Sequence, residues 1–421
     1  MTASLPIASA DRALRDLQPR WPRAIPALAI GLAAPFQLQW GGILYGSELL
    51  LAALALWALL TRLGDTDFWV RPFTTLMGFL GITMLAYIVA DLVLGTETQN
   101  VMRGWARLVF LGTNITGLYF LSRRNPFHLM LYVIAAAAAA LAYLAWTGQA
   151  LDDWKFGAAA PVTLLVACLV PLTARRGVRF SSLALVLTGL LHIALDSREI
   201  GGNCLVAGGL LFARTYSVLR LKSLSWIALG MLGLAGVGVF LYAYVLTDEE
   251  YGHRRQFSNA WRTASLMTAV DAIAESPWIG NGSQTNNFQL QSRYDSIFAE
   301  RTGARYQGQQ TDTSTFSPHS QILQAWFEAG IFGMTFFLYL GWKLITGLHW
   351  CVFHRNLDVF SVLFAFSLLR ATWHLFFSPF AGLARLEVAL AVVIVCVLGR
   401  ERRRCHVYPF LFHAGPGTIP G

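Results

Sequence analysis

The sequence has few charged residues for its length. Only 13% of its 421 residues are Asp, Glu, Lys or Arg, whereas soluble domains carry roughly 25%. Hydrophobic residues make up 55% of the chain and fall into long runs separated by short basic clusters. The net charge of +9 is divided among these clusters, which is typical of membrane-protein loops and argues against a nucleic-acid-binding surface. The composition therefore predicts an all-α polytopic membrane protein.

Several motifs are also missing. The sequence has no glycine-rich nucleotide loop, no paired-histidine zinc motif and no plausible outer aspartate pair for a metal ion. The five cysteines lack metal-ligand spacing, and four lie in or near apolar runs, which predicts packing roles without disulfides. We therefore expect no nucleotide, no resident metal and no other cofactor. The polar, basic N-terminus predicts no cleavable signal peptide.

Hydropathy predicts about twelve membrane-spanning helices. Their approximate ranges are 24–40, 43–62, 73–95, 103–122, 127–147, 158–174, 180–196, 201–218, 223–246, 326–349, 357–377 and 383–399. Placing both termini in the cytoplasm puts 20 of the 32 lysines and arginines in cytoplasmic segments, as the positive-inside rule requires. The chain then divides into spans one to nine (1–246), a long periplasmic loop (247–325), spans ten to twelve (326–399) and a basic cytoplasmic tail (400–421).

The loop between spans nine and ten is too long to be a passive connection, which indicates a functional role. A helix is predicted within it at about 257–275, with Leu266, Ala269, Val270 and Ile273 on its apolar face.

The end of this loop predicts a second helix that re-enters the membrane. Ser317 and Pro318 are typical of an N-cap and a first helical residue, which would place His319 in the first turn. The positive end of the helix dipole would favour neutral imidazole there, and neutral imidazole can accept a proton. His319 is therefore a candidate general base, and the alternative is an interfacial polar residue.

Two arginines are predicted at the same depth as His319. Arg198 lies in the tight turn between spans seven and eight, and Arg262 lies near the start of the loop helix. Their guanidinium groups match phosphate oxygens, which points to a phosphate or diphosphate ligand. The alternatives are a local pair of Arg198 with Asp196 or Glu199, and snorkelling or an ion pair of Arg262 on its helix.

Other charged residues carry weaker predictions. Three arginines of the loop are more typical of a solvated face, although the first is retained as a third candidate diphosphate ligand: Arg293, Arg301 and Arg305. Arg370 and His374 lie one turn apart and are predicted to face the bundle interior, as structural partners or as pocket lining. The remaining predictions concern Arg385 and Glu387, as a pair with each other, and Glu328, as an orienting partner for a basic group.

The order of these elements resembles the O-antigen ligase family, within the wider O-antigen ligase/polymerase superfamily. The similarity rests on Arg262, a helical stretch ending at Pro277, and the turn Gly280-Asn281-Gly282. It continues with Pro318-His319-Ser320 and with 328–333, where a glycine-rich stretch leads into the next span.

An earlier Ser197-Arg198 pair also fits the pattern of this family. Two positions depart from it, since the family often has His-Asn where this chain has His319-Ser320, and Ser-Arg-Gly where this chain has Glu199 after Arg198.

This resemblance implies a metal-independent, inverting glycosyltransferase with a GT-C-like helical fold in the bacterial inner membrane. It would move a glycan from undecaprenyl diphosphate to the lipid A-core oligosaccharide at the periplasmic face, with membrane lipid around it and no nucleic-acid partner. His319 would be the general base, and Arg198, Arg262 and Arg293 would bind the diphosphate. An O-antigen polymerase or a protein O-oligosaccharyltransferase would share the donor and differ in the acceptor. A membrane transporter is a further alternative, but neither an internal repeat nor a clear midplane charge network supports it.

Overall fold

The protein is almost entirely helical in the part of the chain that the structure describes. The computed structural model describes residues 21–39, 42–62, 64–66, 68–148, 154–155, 157–173, 177–215, 249–284, 288–302, 318–379 and 383–407. Within these ranges there are fourteen α-helices. They are α1 Trp21–Leu32, α2 Gly46–Arg62, α3 Arg71–Leu94, α4 Thr98–Ser122, α5 Phe127–Thr147, α6 Ala159–Thr173, α7 Val178–Ala194, α8 Arg198–Thr215, α9 Glu249–Glu275, α10 Phe288–Thr302, α11 Gln321–Gly333, α12 Thr335–His349, α13 Ser361–Phe377 and α14 Ala384–Val407.

Most predicted spans coincide with these helices, and three of the described helices are long and apolar enough to cross a bilayer. These three are Arg71–Leu94, Phe127–Thr147 and Thr335–His354, the last of which includes a π-helical turn after α12. Three shorter apolar helices, Ala159–Thr173, Val178–Ala194 and Ser361–Phe377, lie among them. The ninth predicted span, 223–246, and the predicted N-cap Ser317 lie outside the described residues.

The first predicted span is shorter than expected. Helix α1 ends at Leu32, and the chain then forms a short antiparallel hairpin from β1, Gln37–Gln39, and β2, Ile43–Tyr45. One proline and two glutamines explain why the helix ends early, because Pro35, Gln37 and Gln39 interrupt the apolar run before Gly42. The prediction of a helix through residue 40 was therefore wrong.

Helix α14 lies at the centre of the bundle. Every side chain from 388 to 398 is at most 6% exposed. Because these residues cover all sides of the helix, α14 has no face toward solvent or lipid over this stretch. The helix continues to Val407, so the segment predicted as a tail begins as the last two turns of α14.

Buried carboxylates join distant helices. Glu48 on α2 is fully buried and accepts two hydrogen bonds from Arg385 of α14, at 2.9 and 2.8 Å. Asn114 of α4 donates to the same carboxylate at 3.1 Å. The prediction that Arg385 pairs with Glu387 was wrong, because side chains two positions apart on a helix point in different directions.

The tenth predicted span is broken. Within α11 the backbone leaves helical geometry at Ala329 (φ −133°, ψ 20°) and Gly330 (φ 67°, ψ −168°). The turn Trp278–Gly282 fits into this break, with hydrogen bonds from Asn281 N–H to Phe327 O (2.8 Å) and from Gly282 N–H to Glu328 O (3.0 Å). The two glycine-containing segments named by the resemblance therefore pack directly against each other.

A buried polar network holds this junction to α3 and α4. Glu328 is fully buried and accepts hydrogen bonds from Arg107 Nη2 and Tyr87 Oη, both at 2.7 Å. Next to it, Asp91 accepts hydrogen bonds from the backbone N–H and the hydroxyl of Ser283, both at 2.7 Å. Glu328 thus has the basic partner that the sequence predicted, and the identity of that partner is Arg107.

The loop helix α9 is longer than predicted, and two of the four residues predicted on its apolar face, Ala269 and Ile273, are buried. Ala260 and Ala264 pack against Tyr294 and Phe298 of α10, and farther along the helix Ala272 and Ile273 pack against Leu290 of α10 and Phe327 of α11. Leu266 and Val270 are 45% and 49% exposed, so they do not belong to the buried face. Small alanines form the contact because they let the helices approach closely, a preference that hydrophobicity alone does not indicate.

We expect Gly330→Ala to destabilise the fold strongly. A Cβ at Gly330 would lie 2.0 Å from Trp278 O, and the positive φ is itself unfavourable for alanine. The free energy of unfolding should fall by about 3 kcal/mol or more, from backbone strain and overpacking together. Thermal unfolding of the purified protein, followed by tryptophan fluorescence, measures this effect.

Gly78→Ala is the matched control for this prediction. Gly78 lies inside α3, and a Cβ there would meet nothing within 4 Å. This variant should be neutral or slightly stabilising, by less than about 1 kcal/mol. Equal melting temperatures for the two variants would contradict the proposed role of Gly330.

Candidate active site

His319 lies just before a helix rather than in its first turn. Helix α11 begins at Gln321, and Ser320 is its N-cap, with Oγ accepting the Leu323 N–H at 3.4 Å. The Ser320 hydroxyl also donates to Leu375 O of α13 at 3.0 Å. The prediction that Pro318 opens the helix was wrong, because the hydroxyl that caps this helix belongs to the residue after His319.

The ring of His319 packs against α9. The Trp261 ring meets it edge to face, with centroids 4.3 Å apart. Burial lowers the pKa of His319 to about 4, and the positive charge of Arg262 contributes to the same shift. At neutral pH the imidazole is therefore uncharged, as predicted, although its burial and a neighbouring arginine are the cause rather than a helix dipole.

Arg262 is the candidate ligand that the structure brings closest to His319. It follows Trp261 on α9, and its side chain is exposed to solvent. An exposed guanidinium beside a neutral imidazole can receive an anion without first losing a buried partner. This juxtaposition brings together two residues that are 57 positions apart in the sequence.

Arg198 and Arg293 both form ion pairs at the surface. Arg198 Nη2 lies 2.8 Å from Asp196 Oδ1, which is the local pair that the sequence left open as an alternative. Arg293 Nη2 lies 2.7 Å from Glu275 Oε1. The side chains in both pairs are at least 32% exposed, so each pair contributes little to stability and can be exchanged for another anion.

A cavity of about 700 Å³ opens beside the turn that carries Arg198. Ser197 and Glu199, the two neighbours of Arg198, line it. Its other walls come from the C-terminal parts of α5 and α13, the N-terminal parts of α6 and α14, and the hairpin region after α1. These are the segments that the topology predicts at the outer ends of their spans.

Four ionisable side chains form a cluster in the cavity wall. Glu387 of α14 accepts a hydrogen bond from Arg370 Nε at 2.8 Å and contacts His374 Nε2. Glu199 Oε1 lies 3.8 Å from Arg370 Nη1. The sequence predicted that Arg370 and His374 face inward, and both line the cavity; it did not predict that Glu387 and Glu199 meet them there.

The end of α13 lines the cavity and also contacts the segment that carries His319. Ser320, directly after His319, is bonded to Leu375, and the preceding residue His374 lines the cavity. The segment that carries His319 is therefore bonded to the helix that contributes Arg370 and His374 to the cavity wall.

Three tryptophans lie on α9, on the turn that follows it and on α11. Trp326 donates its Nε1–H to Pro277 O at 3.0 Å and helps to hold the turn at the helix break. Trp278 is 67% exposed. Of the three tryptophans, Trp261 is the one in contact with a candidate catalytic residue.

Comparison with known proteins identifies one family. A family model described as O-Antigen ligase matches residues 161–338. This segment begins in α6, ends in α12 and contains Arg198, Arg262, Arg293 and His319. A comparison with curated proteins finds no match. The resemblance to the O-antigen ligase superfamily that the sequence predicted is therefore confirmed over residues 161–338.

Proposed function

We propose that this protein transfers an O-antigen glycan from undecaprenyl diphosphate to a sugar hydroxyl of the lipid A-core oligosaccharide. One observation carries the proposal: His319, uncharged at neutral pH, lies beside the exposed Arg262 within the segment that matches the O-antigen ligase family. A proton acceptor next to a phosphate-binding group is what transfer from a sugar diphosphate requires.

His319 acts as the general base. The acceptor hydroxyl loses its proton to the imidazole while its oxygen attacks the anomeric carbon of the donor glycan. The bond from that carbon to the diphosphate oxygen breaks, and the diphosphate leaves with the electron pair. Because attack and departure occur on opposite faces of the sugar, the anomeric configuration inverts.

Arginines stabilise the leaving diphosphate. Arg262 is the first ligand, since its exposed guanidinium already lies beside the base. Arg198 and Arg293 turn from their exposed carboxylate partners toward the donor, an exchange that costs little because surface ion pairs are weak. The donor is already activated and the arginines supply positive charge, so the reaction needs neither a nucleotide nor a metal ion.

The proposed setting is the bacterial inner membrane, with a GT-C-like fold. Twelve spans place both termini in the cytoplasm and residues 247–325 in the periplasm as the catalytic loop. Spans one to nine lie in 1–246, spans ten to twelve in 326–399, and the basic tail in 400–421. After the break in α11, α12 with its π-helical turn is 20 residues long and apolar, which supports one membrane span in this segment.

Transfer activity tests this proposal. A synthetic undecaprenyl-diphosphate glycan and purified lipid A-core are the substrates, and EDTA is present. His319→Ala should lower kcat about 10²–10⁴-fold, the usual contribution of a general base. Arg262→Ala should lower kcat about 10²–10³-fold through lost charge stabilisation.

Arg301→Ala is the control, because Arg301 lies on the exposed face of α10 and contacts the Met267 sulfur. It should transfer at the wild-type rate. Wild-type rates in folded His319→Ala and Arg262→Ala proteins, or a strict requirement for added Mg²⁺ or ATP, would refute the mechanism. Transfer to a growing glycan or to a protein instead of lipid A-core would identify a polymerase or a protein O-oligosaccharyltransferase.

The pH dependence should reflect the low pKa of His319. The acidic limb of kcat/KM, which reports the free enzyme, should lie near pH 4 because the pKa of His319 is about 4. Titration of isotope-labelled histidine by NMR measures this pKa directly. The pKa of unperturbed histidine is about 6.5. An acidic limb and a His319 titration near that pH would contradict the low pKa assigned to His319.

Arg262→Ala should raise the pKa of His319, because a positive charge no longer opposes protonation. Arg301→Ala should not change it. In the folded protein His319 binds its proton near pH 4, and in the unfolded chain near pH 6.5. Between these values the unfolded state holds more protons, so His319 lowers the stability of the fold as the pH falls through this window.

A further inference from the structure

Among the described residues, the wall of the cavity beside Arg198 carries as many acidic side chains as lysines and arginines. Arg370 and Lys155 contribute two positive groups, and Glu387 and Glu199 contribute two negative ones. The Glu387 carboxylate is bonded to Arg370 and His374, and Glu199 lies on the other side of the same guanidinium. Two carboxylates in the wall oppose an anionic ligand, so the cavity is poorly suited to a diphosphate.

Three buried polar atoms of this cluster have no hydrogen-bond partner among the residues that the structure describes. They are Arg370 Nη1, Glu199 Oε1 and His374 Nδ1. The first is a donor and the second an acceptor, and they lie 3.8 Å apart. A hydroxyl group donates and accepts at once, so ligand hydroxyls can satisfy both, whereas a fully ionised phosphate only accepts.

The remaining walls fit the faces of sugar rings. Tyr45 and Tyr132 are buried beside the cavity, and Tyr143 lies farther along α5. Ala136, Ala137 and Ala140 of α5 also line the cavity, and their short side chains leave its volume open. A concave site with aromatic walls and a few convergent polar groups is typical of small-ligand recognition.

We propose that this cavity binds an uncharged sugar ring of a glycan substrate, with its hydroxyls bonded to Glu199, Arg370 and His374. This inference rests on the proposed function, since it supplies the saccharide site that transfer needs beside the base. The diphosphate is bound separately, at Arg262. Ser320, next to His319, bonds to Leu375, and His374 beside Leu375 lines the cavity, so helix α13 connects the two sites.

Binding of lipid-free saccharides tests the site without catalysis. The probes are dephosphorylated core oligosaccharide and the free O-antigen repeat unit, titrated calorimetrically into full-length His319→Ala protein. One of the two should bind, and Glu199→Gln should weaken that binding about tenfold or more by removing a charged hydrogen-bond partner. The probe that binds identifies the cavity as the acceptor or the donor site.

Ala140→Phe and Ala138→Phe form a matched pair. Ala140 lines the cavity, whereas Ala138 lies on the exposed side of the same helix and does not line it. The first should weaken saccharide binding at least tenfold and raise the KM for the same glycan, and the second should change neither. Both variants keep the charged cluster intact, so a loss of binding in the first alone reports occupancy of the cavity.

Binding of inorganic diphosphate distinguishes the proposed sugar site from the diphosphate site. Ala140→Phe should leave its binding unchanged, and Arg262→Ala should weaken it. Loss of diphosphate binding in Ala140→Phe, or saccharide binding that Ala140→Phe and Glu199→Gln both leave intact, would overturn the sugar site. Saccharide binding by a wild-type protein that transfers no glycan would overturn the proposed function and leave the sugar site standing.

Discussion

The break in α11 at Ala329–Gly330 is the constraint on which the arrangement of the site depends. Breaking a helix leaves backbone groups without their usual partners, and burial makes this costly. The turn Trp278–Gly282 supplies the missing hydrogen bonds, to Phe327 O and Glu328 O. Gly330 permits this contact because any side chain there would overlap the Trp278 carbonyl. The end of α9 is thereby fixed against α11, the helix that follows His319.

Buried charges divide into two kinds in this protein. The Glu48 and Glu328 carboxylates are fully buried, and each is bonded to an arginine of another helix and to further donors. A buried ion pair of this kind fixes helices in register, because separating it would leave a charge unpaired in the interior. The cluster around Arg370 is different, since several of its polar atoms have no partner in the described part of the chain and its residues border a cavity.

The two halves of the proposed site have complementary chemistry. On the side of α9, an exposed arginine and a neutral imidazole suit an anion and a proton transfer. On the side of α13 and α14, a cluster that combines hydrogen-bond donors and acceptors suits hydroxyl groups. Ser320 joins them, because its hydroxyl both caps α11 and bonds to α13. A glycan diphosphate reaction requires both kinds of environment within the length of one sugar.

The sequence by itself determined that the chain is helical and apolar, where most helices lie, and which family it resembles. Hydropathy and the order of short motifs suffice for this, because both are local properties of the chain. Only the tertiary structure decided that Ser320 caps α11, that Arg385 bonds to Glu48, and that Arg370, His374, Glu387 and Glu199 border one cavity. These contacts join residues that are far apart in the sequence, and a buried charge takes whichever partner the packing of helices brings within reach, so its own neighbours along the chain do not reveal it.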